Sequence, residues 1–153
     1  MTLLFAFLIG FLAGLRSLTA PAAVAWAVHL GWIKLTGPLS LIGSLPSVAI
    51  LSVLAAIEIV LDKLPNTPSR TALPGLIARI VTGGLTGACL SLGGGQSPFV
   101  GAVLGMIGGI VGCFAGYHAR VRIVRQLAKP DIYVAVLEDL IAIGGSLLIV
   151  SRF

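Results

Sequence analysis

The octet Gly14-Leu15-Arg16-Ser17-Leu18-Thr19-Ala20-Pro21 puts an arginine, two hydroxyls and a proline inside an apolar run from Thr2 to Trp32. As one straight helix that run would be about 46 Å long at 1.5 Å per residue, well beyond a hydrocarbon core of roughly 30 Å. It must tilt steeply, break or re-enter, and the octet marks the break. Two short helical pieces follow from this, with Ser17 or Thr19 available to cap the second and Pro21 in its first turn. Helix-breaking residues and a charge at membrane depth are tolerated where protein or a water-filled cavity satisfies them, so the octet faces a polar interior rather than lipid.

That a membrane is the relevant solvent follows from composition. Of the 153 residues, 58% are hydrophobic and 10% charged, with a mean hydropathy of +1.11, against about 25% charged residues in an ordinary soluble domain. At about 20 residues per crossing there is room for about four to six spans, and the whole chain, 1–153, is expected to be a single transmembrane domain. The first run lacks a small-residue cleavage site after a short apolar core, so it is expected to be retained structure rather than a signal peptide. A net charge of +5 and a pI near 9.9 do not indicate nucleic acid here. The basic residues lie between apolar segments, where they orient a membrane protein and meet anionic lipid head groups. Cys89 and Cys113 lie within apolar segments, at depths about 15 Å apart if their helices form a hairpin, too far for a disulfide.

Segments follow in order. Trp26, His29 and Trp32 recur at spacing three near the end of the first run, as an aromatic head-group belt does. Lys34 to Pro46 is a loop or interfacial stretch. A second span covers about Ser47 to Leu64, and the proline-rich polar loop after Asp62 and Lys63 leads to a third, about Ala72 to Leu92. The turn Gly93 to Pro98 opens a fourth span with glycines at spacings of three and four, and a fifth runs from about Ile132 to Val150. The expectation is an all-α, polytopic helical membrane protein of about five spans, with a broken or re-entrant first helix. Small residues allow helix backbones to approach closely in lipid, which predicts contact between the third and fourth spans through Gly87 and Gly105. The positive-inside rule places the loops holding Lys63 and Arg70, and Arg120 to Lys129, in the cytoplasm, with the Gly93 to Pro98 turn outside. A weak inverted repeat is suggested by Pro21 and Pro98, each opening a small-residue helix and preceding Glu58 and Glu138 by 37 and 40 residues.

Charges within the spans carry the functional reading, because an intramembrane ionisable group is costly to keep. Counted from the proline loop, Glu58 and Arg79 fall at equal depth, which predicts an ion pair. Asp62 and Lys63 read as interfacial. Glu138 and Asp139 lie about 100° apart on a helix and cannot share one site, and Glu138 is the residue expected to face inward. Glu58, Glu138 and Asp139 then outnumber Arg16 and Arg79, and a surplus buried acid must hold a proton or attract a cation.

Taken together, the Gly14 to Pro21 octet, Asp62-Lys63 with its proline loop, Ala78-Arg79-Ile80 before a glycine-rich run, and Glu138-Asp139 resemble a family of small bacterial membrane proteins. That family's domain has no known function. The resemblance extends over nearly the whole chain and implies a helical membrane domain, without an activity; the expected location is the bacterial inner membrane.

The leading expectation is a transporter or channel for an anionic or amphipathic solute, coupled to a proton or cation. Its binding residues would be Arg16, Ser17, Thr19, Glu58, Arg79 and Glu138, with membrane lipids and a small molecule or ion as partners. The alternative is a structural or assembly protein that associates with further copies of itself through its glycine faces. An enzyme is not expected: there is no HExxH, no GxSxG and no metal-ligand cluster, so neither catalytic residues nor a cofactor are assigned.

Overall fold

A computed structural model describes residues 1–62, 72–127 and 131–153 of the chain. Lys63, Arg70 and Lys129, on which the assignment of sides partly rested, lie outside the described residues. Every element is helical: α1 (Thr2–Leu15), α2 (Thr19–His29), a 3₁₀ segment (Gly37–Gly43), α3 (Leu45–Leu61), α4 (Leu73–Gly93), α5 (Pro98–Leu127) and α6 (Asp131–Val150). Prolines set several of these starts, since a ring at the first turn costs no hydrogen bond. Pro46, Pro74 and Pro98 lie in the first turns of α3, α4 and α5, and Ser44 caps α3 by accepting from the Ser47 amide. Pro21 is likewise in the first turn of α2, but α2 has 11 residues and α5 has 30, so the two proline-opened helices differ in length.

Helices α4, α5 and α6 are long and apolar enough to cross a membrane, and a fourth crossing results if the 3₁₀ segment and α3, bent by 60°, act as one span. The chain is an integral membrane protein. Its lipid-facing surface is apolar, with Val53, Val60, Val81, Ile110 and Leu140 exposed. Trp26 and Trp32 are about half exposed. The Trp26 indole donates to Ser52 Oγ at 3.0 Å, which ties α2 to the middle of α3, and His29 Nδ1 lies 2.9 Å from Gly43 O, just before α3 begins.

The first run turns back on itself. Thr2, at the start of α1, packs against Gly94, and Ile33, just after α2, packs against Gly93. Both ends of the run therefore lie at the α4–α5 turn, while the break at Arg16 to Leu18 points to the opposite end of the bundle. This is the re-entrant form of the expected broken helix. Helix α1 runs antiparallel to α4 and parallel to α5, with Gly10 against Gly105 and Gly14 against the stretch Gly109 to Cys113. Helix α6 returns beside α1, placing Gly145 on Leu12 and Phe153 edge-on to Phe5 with ring centroids 5.9 Å apart.

Glycine makes the three-helix core α1–α4–α5 possible. A Cβ at Gly87 would lie 2.9 Å from Gly105 Cα, one at Gly83 would lie 2.6 Å from Gly105 O, and one at Gly109 would lie 2.7 Å from Arg79 O. All are shorter than any tolerable carbon contact, so backbone meets backbone here and only hydrogen fits. The third and fourth apolar segments touch through the residues their spacing indicated. Cys89 and Cys113 are free and buried.

Candidate functional site

Breaking a helix in the interior leaves carbonyls unpaired at the end of one half and amides unpaired at the start of the other. At the end of α1 the chain departs at Arg16, whose backbone is extended (φ −136°, ψ 113°). Gly14 O accepts from Arg79 Nε of α4 at 3.0 Å, and Arg79 Nη1 also donates to Gly75 O at 3.0 Å. At the start of α2 the acceptor is Glu58 of α3. Its Oε1 accepts from the Ser17 amide at 2.8 Å and from Ser17 Oγ at 2.6 Å, and its Oε2 accepts from the Leu18 amide at 2.9 Å. Cation at the carbonyl end and anion at the amide end each match the sign of the helix dipole.

Between these caps lies Arg16, fully buried. Its Nη1 pairs with Asp62 at the end of α3 and its Nη2 with Asp139 of α6. One guanidinium thus holds two carboxylates from different helices. Bare burial of an arginine would cost several kcal/mol even after relaxation, which explains why the tip of the hairpin is placed where α3 and α6 converge. Counting Arg79 and Glu58, the centre has two bases and three acids among the described residues, a formal excess of one acid. Arg16 Nε and the hydroxyls of Thr19 and Ser146 are buried without a hydrogen-bond partner. Among the described residues no three His, Cys, Asp or Glu side chains converge as metal ligands would.

Four of the six residues singled out by sequence, Arg16, Ser17, Glu58 and Arg79, meet at the break, and Thr19 is buried as the first residue of α2. Their pairing differs from the expectation. Glu58 and Arg79 do not bind each other: equal depth fixed their height but not their direction, and each caps a different end of the broken helix. The inward acid of α6 at this centre is Asp139, not Glu138. Glu138 is also buried, but it lines a separate groove of about 240 Å³ between α5 and α6. Asp62, read as interfacial, is a direct partner of Arg16. The signal for it was present, because Glu58 and Asp62 are four residues apart and so share one face of α3.

The family model described as a domain of unknown function, DUF4126, matches residues 3–151. The chain belongs to the DUF4126 family. No curated protein and no solved structure matches it. The matched stretch of this DUF4126 member contains every residue of the centre, from Arg16 to Asp139, so the broken hairpin and the helices that cap it fall within one family domain.

Proposed function

We propose that the protein is a small transporter of the bacterial inner membrane that moves an anionic or amphipathic solute and couples it to a proton or cation. The observation that carries this reading is the Glu58 carboxylate seated on the Ser17 amide, the Ser17 hydroxyl and the Leu18 amide. A break that holds one carboxylate on three donors, at the positive end of α2, suits the carboxylate or phosphate of a solute equally. Discontinuous helices whose amide ends meet an anionic group are a recurrent device of transporters.

Coupling follows from competition. A solute anion that takes the three donors adds its charge to a centre whose three acids, Glu58 among them, outnumber its two bases, and the displaced Glu58 carboxylate then gains a proton or a cation. Arg16 is committed to Asp62 and Asp139, so on this reading it sets the charge of the centre while Ser17 and Leu18 hold the solute. The assembly alternative has less support, since Gly83, Gly87, Gly105 and Gly109 are spent on contacts within one chain.

The test is solid-supported-membrane electrophysiology on proteoliposomes, with acetate, succinate and inorganic phosphate as probes. At least one probe should evoke a transient current that grows as pH falls, because protonated Glu58 competes less well. Ser17→Ala, which removes one donor of three, should weaken the response about tenfold, and Glu58→Gln should make it less dependent on pH. A panel that evokes nothing beyond empty liposomes, or a response that Ser17→Ala leaves unchanged, would remove the reading.

A further inference from the structure

Three polar atoms of the hairpin and α6 are buried without a hydrogen-bond partner: Arg16 Nε and Thr19 Oγ1 in the hairpin, and Ser146 Oγ on α6. A hydroxyl on an apolar helix ordinarily bonds back to a carbonyl one turn earlier. Thr82 does so to Ala78 O at 2.8 Å, Thr86 to Thr82 O at 2.9 Å, and Ser151 to Leu148 O at 2.9 Å. Ser146 is fully buried and makes no such bond. It lies on the α6 face turned to the hairpin, where Asp139 pairs with Arg16 and the adjacent Gly145 packs on Leu12. Asp139 and Ser146 stand about 10 Å apart along the helix, with the small, buried Ala142 between them on that face. From Ser146 the helix continues toward Phe153, which meets Phe5 near the start of α1. A buried polar atom without a partner is costly to keep and calls for a species that satisfies it.

Water satisfies all three, since it accepts from the donor-only Nε and both donates to and accepts from a hydroxyl. A metal cation would gain the hydroxyl oxygens but meet the guanidinium. Resting on the coupled transport proposed above, we infer that the seam between the hairpin and α6 admits water and that the coupling ion is a proton, which travels along this seam between Ser146 and the acids of the centre. Each water or hydroxyl on the way accepts one proton and passes one on, and the last proton comes to rest on Glu58 when a solute anion frees it. The charged groups at the inner end are Arg16 with Asp139, Glu58 and Asp62 from α3, and Arg79 from α4; Glu138 and Arg120 line the groove between α5 and α6. Around Ser146, α1 has no charged residue and α2 has His29 alone, exposed and beside Gly43 O. Beyond Ser146 the same face continues with the buried, apolar Ile149 and Val150, which water must pass for the route to open.

The hydrated seam is tested without any solute. Full-length Ser146→Cys protein in proteoliposomes is exposed to silver nitrate, whose cation is small enough to follow water, and the thiols left free are alkylated after denaturation and counted by peptide mass spectrometry. Silver should block the introduced thiol while the native Cys89 and Cys113, buried in the protein, stay free. Three thiols blocked alike, or three left free, would overturn the inference. The proton is tested with whichever of acetate, succinate and inorganic phosphate evokes a current. That probe should drive a proton flux, read by internal pyranine above empty liposomes, of equal size in sodium, potassium and choline buffers. Ser146→Ala should slow the flux about tenfold, as the loss of one hydrogen bond does, and leave the affinity for the probe, measured by calorimetry, unchanged. A flux that requires sodium or potassium, or one that Ser146→Ala leaves at the wild-type rate, would overturn the proton route. A panel that evokes no current overturns the transport reading and the proton route with it, whereas a seam closed to silver overturns this inference and leaves that reading standing.

Discussion

Neutralising Glu58 and Arg79 singly and together discriminates capping of the broken helix from a direct ion pair. Glu58→Gln keeps one acceptor oxygen but withdraws the charge from the two amides and the hydroxyl it serves. A charge-assisted hydrogen bond is worth about 1.5–3 kcal/mol, and the charge at the amide end of α2 adds about 0.5–1 kcal/mol, so the expected loss is about 2–4 kcal/mol. Arg79→Gln gives up the donors to Gly14 O and Gly75 O at the opposite pole of the break, for a similar loss. If the two side chains cap different ends, the double variant should lose roughly the sum, with a coupling term under about 1 kcal/mol. If they form a buried pair, the first substitution strands the partner and the second relieves it, so the double variant would be no worse than either single one. Titration with sodium dodecyl sulfate in mixed micelles measures these free energies. Fluorescence of Trp26, bonded to Ser52 across the α2–α3 contact, reports the interface concerned. A double variant as stable as the single ones would refute the capping account.

Other substitutions follow from the packing. Gly105→Leu should prevent accumulation of folded protein, because even its Cβ would lie 2.9 Å from Gly83 C and 3.1 Å from Gly87 Cα; a monodisperse gel-filtration peak at wild-type yield would contradict the close-packed core. Gly95 has φ +71° with open space around it, so Gly95→Ala should cost about 1–2 kcal/mol through backbone conformation alone, read from the same detergent titration. Arg152→Gln, at an exposed position after α6, should shift stability by less than about 0.5 kcal/mol.

What the sequence carried well was anything that depends on period or length. The break follows from a run too long for the bilayer, and the Gly87 to Gly105 contact follows from small residues at helical spacing in a solvent where nothing else drives close approach. Rotation of each helix about its axis was harder to read. Glu138 and Asp139 differ by about 100°, and charge alone gives no preference between them. Asp139, however, shares its face with Ala135, Ala142 and Ser146, all buried, and that small-residue stripe marks the side turned to the hairpin. Glu138 shares its face with Val134 and Ile141, which line the groove. Asp62 was obscured by its neighbours in the chain, since a residue next to a lysine and a proline loop looks solvated. Only the return of α1 and α2 to the α4–α5 turn brings Arg16 down to it, and that return is a property of tertiary contacts at Gly93 and Gly94 rather than of any local pattern.

Stability alone does not require the Arg16 centre. Replacing a buried set of ion pairs by apolar side chains of similar volume is often neutral or stabilising by about 1–4 kcal/mol, whereas removing one member strands the others. The triple variant Arg16→Met, Asp62→Leu, Asp139→Leu should therefore fold and unfold at detergent concentrations close to those of the wild type, while Arg16→Met alone, which leaves two carboxylates facing each other, should lose about 3–5 kcal/mol. Because Glu58 and Ser17 are untouched in the triple variant, the three donors for an anion remain. What disappears is the pair of acids that surround Arg16, and with them the excess negative charge that makes displacement of Glu58 favour proton or cation uptake. Solute binding should persist in the triple variant and its coupling to pH should weaken. If the triple variant instead fails to fold although all three replacements are apolar and of suitable size, the two carboxylates on Arg16 are needed to hold the hairpin tip between α3 and α6, and the centre is a structural clasp rather than the seat of coupling.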